Sequence, residues 1–550
     1  MPCSLRSALR FSVLLALALL NLSLLALPAA SQILEKSFKH IAVIILDDVG
    51  VDQLSCYGEG TDLPKTPTMC KLTQTGVLFR NAWSNPTCSP TRATIQTGRY
   101  SFRTGVTFAG RILPLEERTI PEILADTLNQ QLGFETAAIG KWHLAGGNGS
   151  NPPNCPLNGN PQDQGYDHAA GALTNIGDYF NWCRRVNGVN GICVAGGSVP
   201  ECATQPYATI VNVNDALAWI GKRKGPWFLW MAFNAPHSPF QAPPDQCPGG
   251  PCHGITLPPG VGPGDVCPAG TQRECYKAMM ETLDTEIARL IKGFPKGTAV
   301  ILLGDNGSPG QVVVPPFDPN RAKFTVYEGG ANVPLIVNVP VLLTQVGNES
   351  AALVNTSDLF ATVLDLAGAQ IPPGLVEDSE SLVPLLSGTG TERTYVFTET
   401  RTGVPLNKAA REARYKLIRR PNAASENIEL FDLLADPFEN QDLYDDAAPN
   451  LTPDQQAAFD DLQEYFDFLE GQLPVCPGTR SCNAASANCR PAQLPPDCPV
   501  TGTGDSACIQ RDGTLFQCPP GRTIRIRSCP CVAVIPGSLC PATNQSWFCQ

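Results

Sequence analysis

The chain has 550 residues, with 39 Lys+Arg against 51 Asp+Glu for a net charge of −12; 43% of residues are hydrophobic and 16% are charged. That balance excludes a disordered chain, and the acidic excess excludes the basic footprint that general nucleic-acid binding needs. At ~150 residues per domain the length allows three or four domains, or one large α/β unit with additions.

In chain order, Arg6 and Arg10 precede an apolar run from Phe11 to Leu27, closed by Pro28-Ala29-Ala30-Ser31. A basic start, a hydrophobic run interrupted by Asn21 and short of a ~20-residue span, and small residues for cleavage predict a signal peptide over 1–31 rather than an uncleaved anchor. The mature chain is then expected to be secreted or periplasmic, with no stable membrane insertion. The 22 cysteines agree with export. Cys3 leaves with the signal. Setting Cys88 aside, the others fall into two even sets, from Cys56 to Cys275 and from Cys476 to Cys549. Each set can pair within itself, and the pairings cannot be read from sequence.

Five short apolar runs follow: Ile41–Leu46, Thr136–Ile139, Trp227–Phe233, Thr298–Leu303 and Val333–Val339. Such continuous runs predict strands buried on both faces of a parallel sheet. Helical patterns lie between them, at Ile120–Gln131 and Tyr276–Lys292. The fold class is therefore α/β, with a large mixed, mostly parallel sheet flanked by helices. From about Thr394 the texture changes. Tyr395–Glu399, Tyr415–Arg419 and Glu429–Leu433 predict a smaller antiparallel sheet, and Thr452–Leu469 an acidic amphipathic helix. The stretch from Cys476 to Gln550 reads as a disulfide-stapled module. The expected domains are a catalytic α/β domain over 32–390, a C-terminal subdomain over 391–472 and a Cys-rich module over 473–550.

The residues just past the strands carry chemistry. Asp47-Asp48 follows the first, Gly140-Lys141-Trp142-His143 the second, Asn234-Ala235-Pro236-His237 the third and Gly304-Asp305-Asn306-Gly307 the fourth. Open α/β sheets bind ligands beyond the carboxyl ends of their strands. Each residue also has a plainer role open to it. Asp305-Asn306-Gly307 alone is an ordinary turn, His143 and His237 could be satisfied core residues, and Cys88 could be a disulfide partner.

Cys88-Ser89-Pro90-Thr91-Arg92, with Thr97-Gly98-Arg99, resembles the signature of the sulfatase family, and Gly133–His143 resembles that family's second signature. Asp47-Asp48 and Asp305-Asn306 resemble its metal-binding pairs. Lys323 before Glu328-Gly329-Gly330, Gly165-Tyr166-Asp167 and Glu429–Leu433 are similar to further landmarks. Thr91, Gln96, Phe134 and Asn332 depart from the common pattern, and none of them is a proposed ligand. The resemblance spans about Phe38 to Leu469 and does not cover the Cys-rich module.

The resemblance implies an alkaline-phosphatase-like fold and hydrolysis of an aryl or carbohydrate sulfate ester. It implies conversion of Cys88 to formylglycine by a formylglycine-generating enzyme. It also implies one divalent metal, Ca²⁺ with Mg²⁺ as the alternative, held by Asp47, Asp48, Asp305, Asn306 and the modified Cys88; hard oxygen ligands suit such ions. The implied catalytic residues are Cys88, Arg92, Lys141, His143, His237 and Lys323. Arg92 and Lys141 hold the modified side chain. His143 is the base that eliminates sulfate. His237 and Lys323 contact sulfate and help protonate the leaving oxygen. Two other readings stay open: a phosphonate monoester or phosphodiester hydrolase of the same superfamily, and a non-catalytic Cys-rich surface-binding protein.

Overall fold

The computed structural model describes residues 38–146, 159–187, 202–204, 206–339, 348–373, 375, 378–401, 406–421, 426–444, 450–471, 507–509 and 515–517. The expected signal peptide and almost all of the Cys-rich module, with its cysteine pairing, lie outside them. The chain divides into two units, one up to Thr452 and one from Pro453 onward.

The first unit is built on a nine-stranded sheet. Its strands are β1 (His40–Leu46), β2 (Val77–Trp83), β3 (Glu135–Lys141), β4 (His168–Ala172), β5 (Arg185–Val186), β6 (Trp227–Ala232), β7 (Ala299–Gly304), β8 (Leu335–Asn338) and β9 (Asn348–Asn355), in spatial order β9-β2-β8-β7-β1-β6-β3-β4-β5. β8 runs antiparallel to β7 and β2, and β5 antiparallel to β4; the other adjacent pairs are parallel. The expectation of a mixed, mostly parallel sheet holds, and the antiparallel β8 is the one apolar run that does not follow the parallel pattern.

Alternation along β1 explains why its whole sequence is apolar. Ala42, Ile44 and Leu46 enter one core, with α3 (Ala208–Ile220) and α4 (Gln272–Lys292) packed over them. Ile41, Val43 and Ile45 enter the opposite core, beside α1 (Cys88–Thr97), α2 (Ile120–Ala125) and α5 (Asp358–Ala367). Both faces are covered, so no position on the strand tolerates a polar residue without a partner. α2 stops well short of the expected Gln131. Asp126 turns to ψ 150°, where its carboxylate accepts from the Leu128 N–H at 3.2 Å and from Arg118 at 3.0 Å. Asp favours such local bonds over helix continuation.

A four-stranded antiparallel sheet follows in simple order: β10 (Val396–Thr400), β11 (Asn407–Arg411), β12 (Tyr415–Pro421) and β13 (Glu426–Asp432). The three expected strands are present and β11 is added between them. In the second unit α6 (Pro453–Gly471) matches the expected acidic helix, and strands 507–509 and 515–517 pair antiparallel.

Candidate active site

Strands β7, β1, β6 and β3 are consecutive neighbours, and all four run in the same direction. Their carboxyl ends therefore open on one region, which receives Asp305-Asn306, Asp47-Asp48, Asn234–His237 and Lys141–His143 side by side. Cys88 comes to the same place from α1, whose first residue it is. Pro90 is the third helical residue. Cys88 is free and buried, which answers the plainer disulfide reading. Cys56–Cys70, Cys247–Cys252 and Cys267–Cys275 are bridged without it.

The Cys88 Sγ lies 3.4 Å from Asp47 Oδ1, 3.5 Å from Lys141 Nζ and 3.9 Å from Lys323 Nζ. Burial, then the Asp47 carboxylate, push the thiol well above its usual range, so it stays protonated at neutral pH. The ligand atoms of Asp47, Asp48, Cys88 and His237 all fall within 4.8 Å of one another. Asp305 joins them by accepting from the Asp48 N–H at 3.1 Å, and Asn306 by donating from Nδ2 to Asp48 Oδ1 at 2.8 Å. All ten residues singled out from the sequence are thus brought together.

Cations interleave with these carboxylates. Arg92, fully buried, donates to Asp305 Oδ2 from Nε at 3.0 Å and Nη2 at 2.7 Å, and from Nη1 to the Lys141 carbonyl at 2.6 Å. Lys141 Nζ pairs with Asp47, and Lys323 Nζ with Asp48. Burial alone would raise the Asp48 pKa, but Lys323, His237 and Lys141 outweigh it and hold the carboxyl low. Such buried charges survive only when paired.

Both histidines are neutral. Burial foremost, and then Lys141 and Arg92, push His143 well below its ordinary value. Burial takes His237 down to about 3, against the pull of Asp48. His237 Nδ1 sits 2.7 Å from the Ser238 carbonyl, which assigns the proton to Nδ1 and leaves Nε2 as the lone-pair nitrogen, 3.8 Å from Asp48. Neither ring nitrogen of His143 has a hydrogen-bond partner although the residue is buried, so the satisfied-core reading fails for it. Its backbone is left-handed at φ 60°. Ser89 Oγ fixes that turn by donating to the His143 carbonyl at 2.7 Å while accepting from the Gly110 N–H at 2.8 Å.

The residues fit a hard divalent cation. Asn306 Oδ1 is a buried oxygen without a hydrogen-bond partner, beside three carboxylates. A buried acceptor left open in this way calls for an ion or a water, and the oxygen-rich donor set suits Ca²⁺ or Mg²⁺.

The sequence reading missed Tyr276, which donates from its hydroxyl to the Asp48 carbonyl at 2.8 Å. It also missed Ser308, which accepts from the Gly50 N–H at 3.1 Å and gives its carbonyl to the Lys323 N–H at 3.0 Å. Ser308 stood one residue past the Asp305–Gly307 turn. Tyr276 carried no local signal, because its contact spans 228 positions. The departures at Thr91 and Gln96 are accommodated. Thr91 Oγ1 donates to the Asn85 carbonyl at 3.0 Å, and buried Gln96 donates to Tyr166 Oη at 2.7 Å.

The Sulfatase family profile matches residues 39–369, and that of the N-sulphoglucosamine sulphohydrolase C-terminal region matches 320–463. Arylsulfatase J of Mus musculus is 28% identical over 371 residues, covering 63% of this chain and 56% of the relative. N-acetylgalactosamine-6-sulfatase of Canis lupus familiaris is 26% identical, covering 64% of this chain and 66% of the relative. The match therefore spans less than two thirds of either relative. Among solved structures, BT4656 in complex with its substrate D-glucosamine-2-N,6-O-disulfate has a TM-score of 0.60 at 21% identity, over 79% of this chain and 98% of that one; that likeness concerns the fold. With the family profile covering more than half of its length and the strand-end cluster in place, the chain belongs to the sulfatase family, within the alkaline phosphatase-like superfamily.

Proposed function

We propose that the protein is an exported sulfuric ester hydrolase that releases inorganic sulfate from an aryl or carbohydrate sulfate ester. The observation that carries this reading is Cys88: unpaired, buried at the first turn of α1, and ringed by Asp47, Lys141 and Lys323 within 3.9 Å. A thiol held protonated in this way is a poor nucleophile. Converted to formylglycine by a formylglycine-generating enzyme, the same position supplies a hydrated aldehyde, with one hydroxyl to attack sulfur and a second for the later exit of sulfate. Asp47, Asp48, Asp305, Asn306 and the modified Cys88 would hold the divalent ion, which when bound lowers a hydroxyl pKa and polarises a sulfate oxygen.

The chain's own residues then have distinct tasks. Arg92 and Lys141 neutralise Asp305 and Asp47 and hold the modified side chain in one orientation. Lys323 Nζ contacts the sulfate oxygens. His237 Nε2 accepts a proton more readily once an anionic ester lies beside it, since opposite charge favours the charged imidazole; together with Lys323 it delivers the proton the departing oxygen needs. His143, neutral and with open ring nitrogens, takes the proton whose loss lets sulfate leave.

The bridges Cys56–Cys70, Cys247–Cys252 and Cys267–Cys275 suit an oxidising compartment, and no helix among the described residues is long and apolar enough to cross a membrane. We place the catalytic domain at 32–390, the subdomain at 391–472 and a Cys-rich module at 473–550, after a signal peptide over 1–31.

The test is mass spectrometry of the Cys88 peptide after co-expression with a formylglycine-generating enzyme, paired with sulfate release from an aryl sulfate and phosphate release from an aryl phosphodiester. An aldehyde at Cys88 with preferential sulfate release supports the reading. An unmodified thiol in a fully active protein, or preference for the phosphodiester, overturns it.

A further inference from the structure

Among the described residues, six that are not glycine have left-handed φ: Asp48, Asp62, His143, Asn187, Phe324 and Glu439. Asp62 and Asn187 have the short polar side chains that tolerate this region. Asp48 and His143 belong to the catalytic cluster, and Glu439 accepts a hydrogen bond from the Glu328 N–H. Phe324, at φ 76°, has neither excuse. A bulky residue there costs free energy that glycine would not, and such strain gathers at functional sites.

Its ring is also badly placed for packing, since the residue is 49% exposed while Lys323 before it is 8% exposed. The loop is pinned at both residues: the Lys323 N–H donates to the Ser308 carbonyl and the Phe324 N–H to the Pro86 carbonyl, each at 3.0 Å. Phe324 is thereby tied to the segment that leads into Cys88. Its ring centre lies 5.0 Å from Lys323 Nζ, which is itself 3.9 Å from Cys88 Sγ. Most of the cluster is closed over, with Asp47, Asp48, Cys88, Arg92, Lys141 and His143 all buried, while the His237 side chain is 15% exposed. His237 and Lys323 both face Asp48, so the exposed ring stands beside the side of the cluster that His237 leaves open, one ammonium away from the reacting position.

We propose that Phe324 is the platform on which the ring of the departing alcohol packs, which makes it a specificity-determining residue of this site. This rests on the sulfate-ester reading above. Aromatic faces take up rings with an apolar face by offset contact. Such contact is shared by ground and transition states, so it acts on KM more than on kcat.

The experiment compares wild type, Phe324→Gly and Phe324→Tyr, all carrying formylglycine, on 4-nitrophenyl sulfate, glucose 6-sulfate and ethyl sulfate. Phe324→Gly is expected to keep or raise Tm, because glycine accepts the left-handed backbone. It is expected to raise KM about tenfold on the ring-bearing esters, at least five times its effect on ethyl sulfate, and Phe324→Tyr is expected to restore it. The ester with the larger KM change identifies the sugar or the phenol as the better occupant. Equal changes on ring and acyclic esters, no change on either, or a lowered Tm with loss of kcat would overturn the platform and leave the sulfatase reading standing. Wild type that releases no sulfate would overturn both.

Discussion

At the scale of single residues, the site is a set of buried charges that make sense only as a group. Asn306 shows this most directly. Its Nδ2 is spent on Asp48 Oδ1 at 2.8 Å and on the Gly307 carbonyl at 3.0 Å, while Oδ1 has nothing. An oxygen kept open beside Asp48 is of use to a cation. Asn306→Ala is expected to weaken Ca²⁺ binding ~10–100-fold by titration calorimetry on the metal-free protein, with the metal-free Tm moved by no more than a few degrees. Unchanged affinity would remove Asn306 from the ligand set. Asp47, Asp48, Lys141, His143, His237, Asp305 and Asn306 were legible because Asp, Asn, Lys and His at the ends of apolar strands are out of place unless they bind something, whereas Cys88, Arg92 and Lys323 were legible only through the resemblance of their motifs. Tyr276 and Ser308 were not legible, because their function is a hydrogen bond to a backbone brought near only by folding. His237 was legible as a site member, but its low proton affinity was not, since that follows from burial.

At the scale of elements, Gly140 holds β3 in register at the point where it delivers Lys141 and His143. Gly140 has φ 96°, and a Cβ there would stand 1.9 Å from the Ala232 carbonyl oxygen on β6. Gly140→Ala is therefore expected to destabilise the fold by about 3 kcal/mol or more in urea unfolding, since both the contact and the backbone resist it. A loss under 1 kcal/mol would show that β3 and β6 can part without cost. A second element-scale test concerns β10. Glu399 is buried against Ser101, and burial, opposed by the Ser101 hydrogen bond and Lys408, raises its carboxyl to about 7. The folded state thus binds this proton more tightly than the unfolded chain does. Its contribution is undiminished below the unfolded value near 4.5 and is lost as pH rises to about 7. Glu399→Gln is expected to match wild type near pH 4 and to exceed it by up to about 3 kcal/mol at pH 8. A gap that does not depend on pH would rule this out. Elements differed in legibility for a plain reason. Strands buried on both faces print as continuous apolar runs, so β1, β6 and β7 stood out. α1 is buried along all ten residues, so it shows no polar face to mark it as a helix. β11, with the sequence NKAAR, has no strand propensity to show and is held by its neighbours.

At the scale of the first unit as a whole, the nine-stranded sheet and the antiparallel sheet are joined by charge as well as by apolar contact. Lys416 on β12 places Nζ 3.1 Å from Glu328 and 2.7 Å from Glu439, and 4.7 Å from the centre of the Trp83 ring at the end of β2. Trp83 Nε1 donates to the same Glu328 at 3.1 Å, and Arg411 on β11 approaches it at 3.3 Å. Burial would raise the Glu328 pKa, but Lys416, with Arg411 behind it, prevails and holds the carboxyl low. Glu328 opens the turn Glu328–Ala331 that follows the Lys323–Phe324 loop, so the joint between sheets also steadies one wall of the site. Lys416→Met removes a charge and leaves two buried carboxylates with Arg411 alone. The expected cost is about 3–5 kcal/mol in urea unfolding. Because Lys416 is fully buried, added salt cannot reach the pair, and the difference from wild type is expected to persist at ~1 M NaCl, where the Debye length is only ~3 Å and an exposed pair would have lost its effect. Combining Lys416→Met with Glu328→Gln removes one of the orphaned charges, so the double variant is expected to be more stable than additivity of the two single losses allows. Additive losses, or a gap that closes with salt, would show instead that the two sheets are joined by the apolar contacts around Trp83, Val396 and Phe431 alone.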